Sequence, residues 1–153
     1  MTNFTMTNFA NSITFEMVPP SLSESYLIAA RALYTGVELL SVEPSKAGVP
    51  CSLLAGQTVE CALKCYLAHC GKSEEQLSKA PFGHNLEELW TEAVRLGLTI
   101  QPNPPRWCLI LNSGHDKPFP FRYPTGLNFI TVPALSSMAS DIRFIVEVVG
   151  KSV

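Results

Sequence analysis

LLAGQTVECALKCYL, residues 53–67, is the stretch that decides the fold of this chain. Its apolar residues recur at steps of three and four, which is the spacing of a helix with one buried face. Pro44 and Gly48 lie upstream and are expected to end the preceding helix, whereas Gly71 provides a C-terminal cap. The pattern therefore predicts a helix over residues 50–70.

Similar periodicity lies on both sides of this helix. Upstream, Ser21 or Ser23 follows two prolines and can cap a helix with apolar residues at three- and four-residue steps. Downstream, glycine and proline separate further periodic stretches. The predicted elements outside the central helix are a helix over 21–42, a short helical turn over 73–79, a helix from His84 or Asn85 to Gly97, a helix that begins with Pro104-Pro105 and ends at His115, and a closing helix over 135–149.

Helices joined by modest loops, without two convincing strands, predict an all-α fold. We expect an antiparallel bundle of four to five helices that forms one domain over residues 21–153. Residues 1–20 contain MTNF twice and end in two prolines, so this segment is predicted to be a weakly ordered arm. The apolar faces of three helices supply the side chains expected in the core, namely Leu63, Leu67, Leu89, Trp90, Ile142 and Ile145.

Size and charge limit the functions that this chain can have. With 153 residues and 46% hydrophobic composition, it is long enough for one domain with its own core. A net charge of -2 argues against a protein that coats long nucleic acid, since such binding needs an excess of Lys and Arg. Any contact with nucleic acid should therefore be local.

The sequence also has none of the patterns of a secreted or membrane-spanning protein. No stretch approaches the ~20 apolar residues that a helix needs to span a bilayer. The first cationic side chain is Arg31, so the N-terminus does not have the basic start of a secretory signal. We therefore expect a cytoplasmic protein without a membrane partner.

The five cysteines, at positions 51, 61, 65, 70 and 108, are predicted to be reduced thiols, because their number is odd and their spacing is not that of a disulfide framework. Cys61, Cys65 and His69 are each four residues apart and would share one stripe of a helix. Cys61 and His69 would then lie about 12 Å apart, which is too far for one Zn²⁺. We therefore expect neither a metal ion nor a cofactor.

Two short motifs carry a resemblance to a known family. In QTVECALK, residues 57–64, Gln, Glu and Lys have the spacing Gln-x-x-Glu-x-x-x-Lys, and GHNLEELW follows at residues 83–90. This order resembles the second helix and following turn of HEPN (higher eukaryote and prokaryote nucleotide-binding) domains, where such a helix commonly precedes a His-Asn/Asp-Leu helix start. The RYP of residues 122–124 is similar to the segment before the last helix in some members. The resemblance covers residues 21–149.

The resemblance implies a compact helical bundle that is frequently dimeric. HEPN domains occur in toxin–antitoxin and defence systems, beside minimal nucleotidyltransferases, and as metal-independent ribonucleases. The partners that the resemblance implies are therefore a second copy of the chain, an RNA or nucleotide ligand, and a nucleotidyltransferase or antitoxin protein.

Active ribonucleases of the family use an Arg-x(4–6)-His motif, from which this chain departs. Arg106 and His115 have eight residues between them, and nine steps of about 100° leave them on opposite faces of a continuous helix. The reversed pair, His115 and Arg122, has six residues between. His115 and Arg122 are therefore the candidate catalytic residues, as a base oriented by Asp116 and a phosphate clamp. The alternative is that His115-Asp116 only ends a helix.

Glu60 and Lys64 are candidate binding residues, because with Gln57 they project from one face of the central helix. This face is either a solvated stripe of ion pairs or a polar crevice shared with His84 or the RYP loop, which is the arrangement that the resemblance suggests. His84 either belongs to that crevice or caps the third helix, a role that Asn85 would fill equally well.

Arg122 and Tyr123 complete the set of candidate binding residues. The Arg122 guanidinium suits a phosphate, or it pairs with a carboxylate such as that of Glu60. Tyr123 either stacks on a base or helps to seal the core together with Phe119 and Phe121.

Three hypotheses about function follow. The first is a HEPN-like module that binds RNA, a nucleotide or a protein partner through Glu60, Lys64, His84, Arg122 and Tyr123, in a toxin–antitoxin or defence system. The second is a metal-independent ribonuclease that uses His115 and Arg122 in a rearranged site. The third is a structural bundle that mediates oligomerisation.

Overall fold

The structure, a computed structural model, describes residues 5–9, 12–16, 18–123, 126 and 129–153, the first two ranges by their backbone alone. Within these residues the chain forms two strands and six helices: β1 (Thr5–Phe9), β2 (Ser12–Glu16), α1 (Leu22–Leu40), α2 (Pro44–His69), α3 (Glu74–Ser78), α4 (Leu86–Arg95), α5 (Arg106–His115) and α6 (Leu135–Ser152). The predicted all-α bundle is confirmed, because helices build the hydrophobic core. The helical turn predicted over 73–79 is α3.

β1 and β2 pair antiparallel, with Thr5 opposite Glu16 and Phe9 opposite Ser12. They lie in the segment predicted to be a weakly ordered arm, for which the sequence predicts no strand. Residues 1–4, 10–11 and 17 of that segment lie outside the described residues.

α1 ends at Leu40, before Pro44, as predicted. α2, however, already begins at Pro44 rather than at residue 50, so the expectation that Gly48 lies between two helices is wrong. Pro44 lies in the first helical turn, where its missing N–H costs no hydrogen bond. Gly48 lies inside the helix, and a Cβ atom there would come within 3.3 Å of Val132, so the glycine allows the segment before α6 to pack closely. Pro50 also lies inside α2, although it was expected near the start.

The other long helices begin close to their predicted starts. Ser21, one of the two expected caps of α1, forms a reciprocal capping box with Glu24. α5 begins at Arg106, directly after Pro105, and α6 begins shortly after Pro133. Their apolar faces therefore have the orientation that the periodicity predicts.

α2 lies at the centre of the bundle and contacts α1, α4, α5 and α6. All six predicted core residues are buried: Leu63, Leu67, Leu89 and Ile142 at 0% exposure, and Trp90 and Ile145 at 2%.

Among the described helices, none is both long and apolar enough to cross a lipid bilayer.

Buried polar side chains concentrate on the same central helix. Ser52 and Thr58 are satisfied locally, since their hydroxyls donate to the carbonyl oxygens one turn back in α2. Glu60, Lys64 and His115 are also buried, at 4%, 5% and 1% exposure, and each needs a polar partner.

Candidate functional site

Glu60 and Lys64 form a buried ion pair on α2. The Lys64 Nζ donates to Glu60 Oε1 over 2.7 Å, at the i, i+4 spacing that brings two side chains together on a helix. Both side chains are withdrawn from solvent, so the alternative of a solvated stripe of ion pairs is wrong. The polar face of α2 instead points into the bundle.

Two histidines converge on the second oxygen of the same carboxylate. His115 Nε2 lies 2.6 Å from Glu60 Oε2, and His84 Nδ1 lies 2.9 Å from it. The two imidazole rings meet edge to face, with centroids 5.8 Å apart. Glu60 is therefore the centre of a network that joins α2 to two other parts of the chain.

The ends of α4 and α5 position the two histidines. His84 directly precedes Asn85, whose side chain caps α4 by accepting from the Glu88 N–H, so Asn85 rather than His84 is the cap. The Leu86 N–H donates to the side chain of Asn112 on α5, which ties the start of α4 to the helix that carries His115. His115 is the last residue of α5. The network thus forms where α2, α4 and α5 meet.

The hydrogen bonds assign the protons of both imidazoles. An ionised carboxylate only accepts, so both nitrogens that face Glu60 must carry a proton. His115 Nδ1 is buried and has no hydrogen-bond partner among the described residues. A proton there would be an unsatisfied buried donor, so the surroundings favour the His115 tautomer that carries its proton on Nε2. When His84 donates to Glu60 from Nδ1, its Nε2 keeps a lone pair. The His84 side chain is 38% exposed.

The network determines the ionisation of Glu60. Burial alone would raise the pKa of this carboxyl, but hydrogen bonds from His115, Lys64 and His84, together with the charge of Lys64, lower its pKa to about 2. Glu60 is therefore an anion at neutral pH, balanced by a single buried ammonium group. Such a carboxylate holds an imidazole in one orientation.

Glu60, His84 and His115 have the composition of a metal site, with one ligand atom from each lying within 4.8 Å of the others. Both imidazoles would have to give lone pairs rather than protons to an ion. Lys64 bonded to the same carboxylate would also repel a cation. The distances of 2.6 and 2.9 Å are those of hydrogen bonds, so we assign the cluster as a hydrogen-bonded network.

The cysteines are free thiols, as predicted. Burial raises the pKa of Cys61 to about 11 and also raises the pKa of Cys65. Both groups are therefore protonated at neutral pH.

Arg122 lies at the exposed side of this network. Its guanidinium donates to Gln57 Oε1 over 3.1 Å, and its Cζ lies 5.5 Å from the centroid of the Phe119 ring. Phe119 in turn meets His84 edge to face at 5.4 Å, and its φ of 62° is a strained conformation for a side chain of this size. Gln57 is one helical turn before Glu60, so Arg122 and His84 border the same part of α2.

The predicted catalytic pair does not share an open site. The His115 side chain is fully buried against Glu60, whereas Arg122 is exposed. The alternative pairing of Arg122 with Glu60 is also wrong, since its partner is Gln57. Arg106 and His115 occupy opposite ends of the continuous helix α5, one exposed and one buried, as their separation predicts.

The aromatic side chains of the loop after α5 differ in burial, so the expectation that they seal the core holds for Phe121 but not for Tyr123. Tyr123 is 65% exposed, so it does not seal the core. Phe121 does so, and its ring fills the space beside Gly114, where a Cβ atom would lie 2.3 Å from it. Pro124 of the RYP motif lies outside the described residues.

Sequence reasoning missed three contributors to the site. They are Gly56, which makes room for the His115 ring; Asn112, which fixes the start of α4; and Phe119, which separates Arg122 from His84. A glycine four residues before Glu60 on a helix was the one available signal, because it marks close packing on that face.

Comparisons of the chain with protein-family models, with curated proteins and with solved structures found no match. A functional assignment therefore depends on the geometry of the chain itself.

Proposed function

We propose that this chain is a HEPN-like helical module that binds RNA through a surface formed by Gln57, His84, Phe119, Arg122 and Tyr123, here called the His84–Arg122 surface. The observation that carries the proposal is the position of an exposed guanidinium over the ring of Phe119, which in turn contacts an imidazole that Glu60 orients. A cation, aromatic rings and an oriented hydrogen-bonding group are thereby brought together at one surface.

Each component suits a different part of a single-stranded RNA. The planar guanidinium of Arg122 fits a phosphate, and the neighbouring Tyr123, which is 65% exposed, is a residue type that stacks on bases. Since the chain has a net charge of -2, these few groups would contact a short segment rather than a long duplex. The likeness of QTVECALK and GHNLEELW to HEPN motifs supports the same reading, including a toxin–antitoxin or defence context and a homodimer.

The binding of a short, labelled single-stranded RNA, followed by fluorescence anisotropy, tests this proposal. Arg122→Ala should weaken binding about tenfold at low salt, and the difference should shrink as salt is raised. Arg106→Ala is the matched control, because Arg106 is an exposed arginine at the far end of α5. Equal losses in both variants, or no RNA binding by the parent chain, would overturn the assignment. A mononucleotide that competes fully would reassign the ligand to a nucleotide.

A second candidate function, metal-independent cleavage of RNA, is favoured by the hydrogen bond between Glu60 and His84. The half-exposed His84 would accept the proton of a ribose 2′-OH at Nε2 while the 2′-oxygen attacks the adjacent phosphorus. The 5′-oxygen would leave and take a proton from water, and the product would be a 2′,3′-cyclic phosphate. This assigns the base to His84 in place of the buried His115.

Cleavage of labelled RNA in the presence of EDTA separates this candidate from binding alone. His84→Ala should abolish formation of the cyclic phosphate, while His69→Ala, which alters an exposed histidine at the end of α2, should not. Binding without cleavage by the parent chain would leave the RNA-binding proposal intact and remove the enzymatic one.

A further inference from the structure

A pocket lies between α4, α5, α6 and the segment that precedes α5. It has a volume of about 160 Å³, and its walls include Trp90, Trp107, Asp141 and Phe144. None of the residues that line it belongs to the Glu60 network or to the His84–Arg122 surface. It is therefore a candidate for a different ligand.

The two tryptophans form a corner of this pocket. Their ring centroids are 6.0 Å apart and their planes are inclined at 74°. Trp90 Nε1 donates to the carbonyl oxygen of Gln101 over 2.8 Å, and Trp107 Nε1 donates to Asp141 Oδ2 over 2.8 Å. Both indoles are thus fixed in orientation by their N–H groups.

The remaining walls differ in depth and charge. Trp90 is 2% exposed and lies at the inner end, whereas Phe144 is 55% exposed and lies at the rim. Asp141 places a carboxylate beside the Trp107 indole. The pocket therefore combines three aromatic rings with one negative charge.

We propose that this pocket binds an alkylated ammonium group, such as a choline-type or trimethyl-lysine cation. The negative faces of aromatic rings attract cations, and a trimethylammonium group is rounded enough to contact two nearly perpendicular rings at once. A flat nucleobase can stack on only one of two rings inclined at 74°. The Asp141 carboxylate favours a positive charge over a neutral group of the same shape.

Intrinsic fluorescence reports on this pocket directly, because Trp90 and Trp107 are the two tryptophans of the chain. Titration of the full chain with choline chloride should give a saturable change in emission. The neutral isostere 3,3-dimethylbutan-1-ol should bind about tenfold more weakly, and sodium chloride at matched concentration should give no saturable change. Equal binding of choline and the isostere, or no saturation by choline, would overturn the proposal.

Two variants keep the test independent of folding. Asp141→Asn removes the charge but retains an oxygen that can accept a hydrogen bond from Trp107 Nε1. This variant should weaken choline binding about tenfold. Asp116→Asn is the control, because it removes a carboxylate outside the pocket. If Asp141→Asn does not fold, Phe144→Leu changes only an exposed ring and should also weaken binding. Undiminished choline binding in a folded pocket variant would contradict the proposal.

The source of the cation is distinguished by comparing choline with a short peptide that carries trimethyl-lysine. If the peptide binds more tightly than both its unmethylated form and choline, the natural ligand is a cation on a protein. If choline binds more tightly than the peptide, the natural ligand is a free cation. Both results support the pocket. Since Arg122 does not line it, Arg122→Ala should leave choline binding unchanged, so this proposal and the RNA-binding proposal can fail separately.

Discussion

The imidazole of His115 occupies the space that a side chain at position 56 would need, since a Cβ atom on Gly56 would stand 2.7 Å from His115 Nδ1. Gly56 is in the interior of α2, where alanine is ordinarily favoured by about 1 kcal/mol. The site therefore keeps a glycine at a position where helix propensity opposes it.

Gly56→Ala should lower the free energy of unfolding by about 1–3 kcal/mol, because the added methyl group must displace a buried ring that is bonded to Glu60. Chemical denaturation measures this change. Gly150→Ala on α6 is the control, since its nearest neighbour is the flexible end of Arg31, and it should be neutral or stabilising. Gly56→Ala combined with His115→Ala should lose less stability than the sum of the single changes, and full additivity would contradict the contact.

The free energy of unfolding should fall at acidic pH because Glu60 becomes protonated. The pKa of this carboxyl falls from 4.5 to about 2 on folding, so its contribution is fully present above pH 4.5 and is lost as the pH falls toward 2. The loss should amount to about 3 kcal/mol. Urea denaturation at a series of pH values measures it.

The double variant Glu60→Gln/Lys64→Met removes the carboxylate without leaving its ammonium partner buried alone. Between pH 4.5 and 2, the free energy of unfolding of this variant should fall less than that of the parent. The pKa of Glu92 is also lowered to about 2, by Arg95 and Lys72, so this residue should account for part of the pH dependence of stability that remains in the double variant. Adding Glu92→Gln should remove that part. Parallel pH profiles of the parent and the double variant would refute the role of Glu60.

Much of the bundle could be predicted from periodicity, because a helix with one buried face has apolar residues at steps of three and four, a pattern that is visible in a short stretch of sequence. The start of α2 could not, since Pro44 suits both the end of one helix and the first turn of the next. In the structure Pro44 does both, because α1 ends at Leu40 and α2 begins at Pro44.

Residue spacing alone predicted the candidate site only on α2, whereas a crevice shared with His84 was suggested by the resemblance and is what the Glu60–His84 hydrogen bond forms. The spacing of Glu60 and Lys64 places them together, but a polar pair on a helix is more commonly solvated, so their burial could not be derived from the sequence. His84 and His115 reach Glu60 across 24 and 55 residues, through the docking of α4 and α5. Local patterns carry no information about such contacts.

We predict that the chain forms a homodimer in solution. Leu39 and Val42 are 70% and 74% exposed, and Val42 lines a groove of about 800 Å³ between the end of α1 and the start of α6. Exposed apolar side chains beside a groove are typical of an interface. Light scattering at micromolar concentration should give twice the monomer mass of 16.7 kDa.

Leu39→Glu should shift the light-scattering mass toward the monomer, because it would bury a charge at the interface. Glu74→Gln on α3, a change of one exposed side chain away from the groove, should leave the mass unchanged. A parent chain that is monomeric at these concentrations would refute the dimer, and a dimer unaffected by Leu39→Glu would place the interface elsewhere.

Lys64 on α2 and Arg122 beside it are two cations that differ in burial. Arg122 is exposed, and its contacts with Gln57 and Phe119 lie at the surface, so Arg122→Ala should cost about 0.5–1 kcal/mol of stability. Lys64 is buried against Glu60, so Lys64→Met should cost about 3–5 kcal/mol, because it leaves a buried carboxylate without its counter-ion. Thermal and urea unfolding of both variants measures the difference. A loss of stability in Arg122→Ala as large as that in Lys64→Met would make Arg122 a structural residue and remove it from the proposed RNA-binding surface.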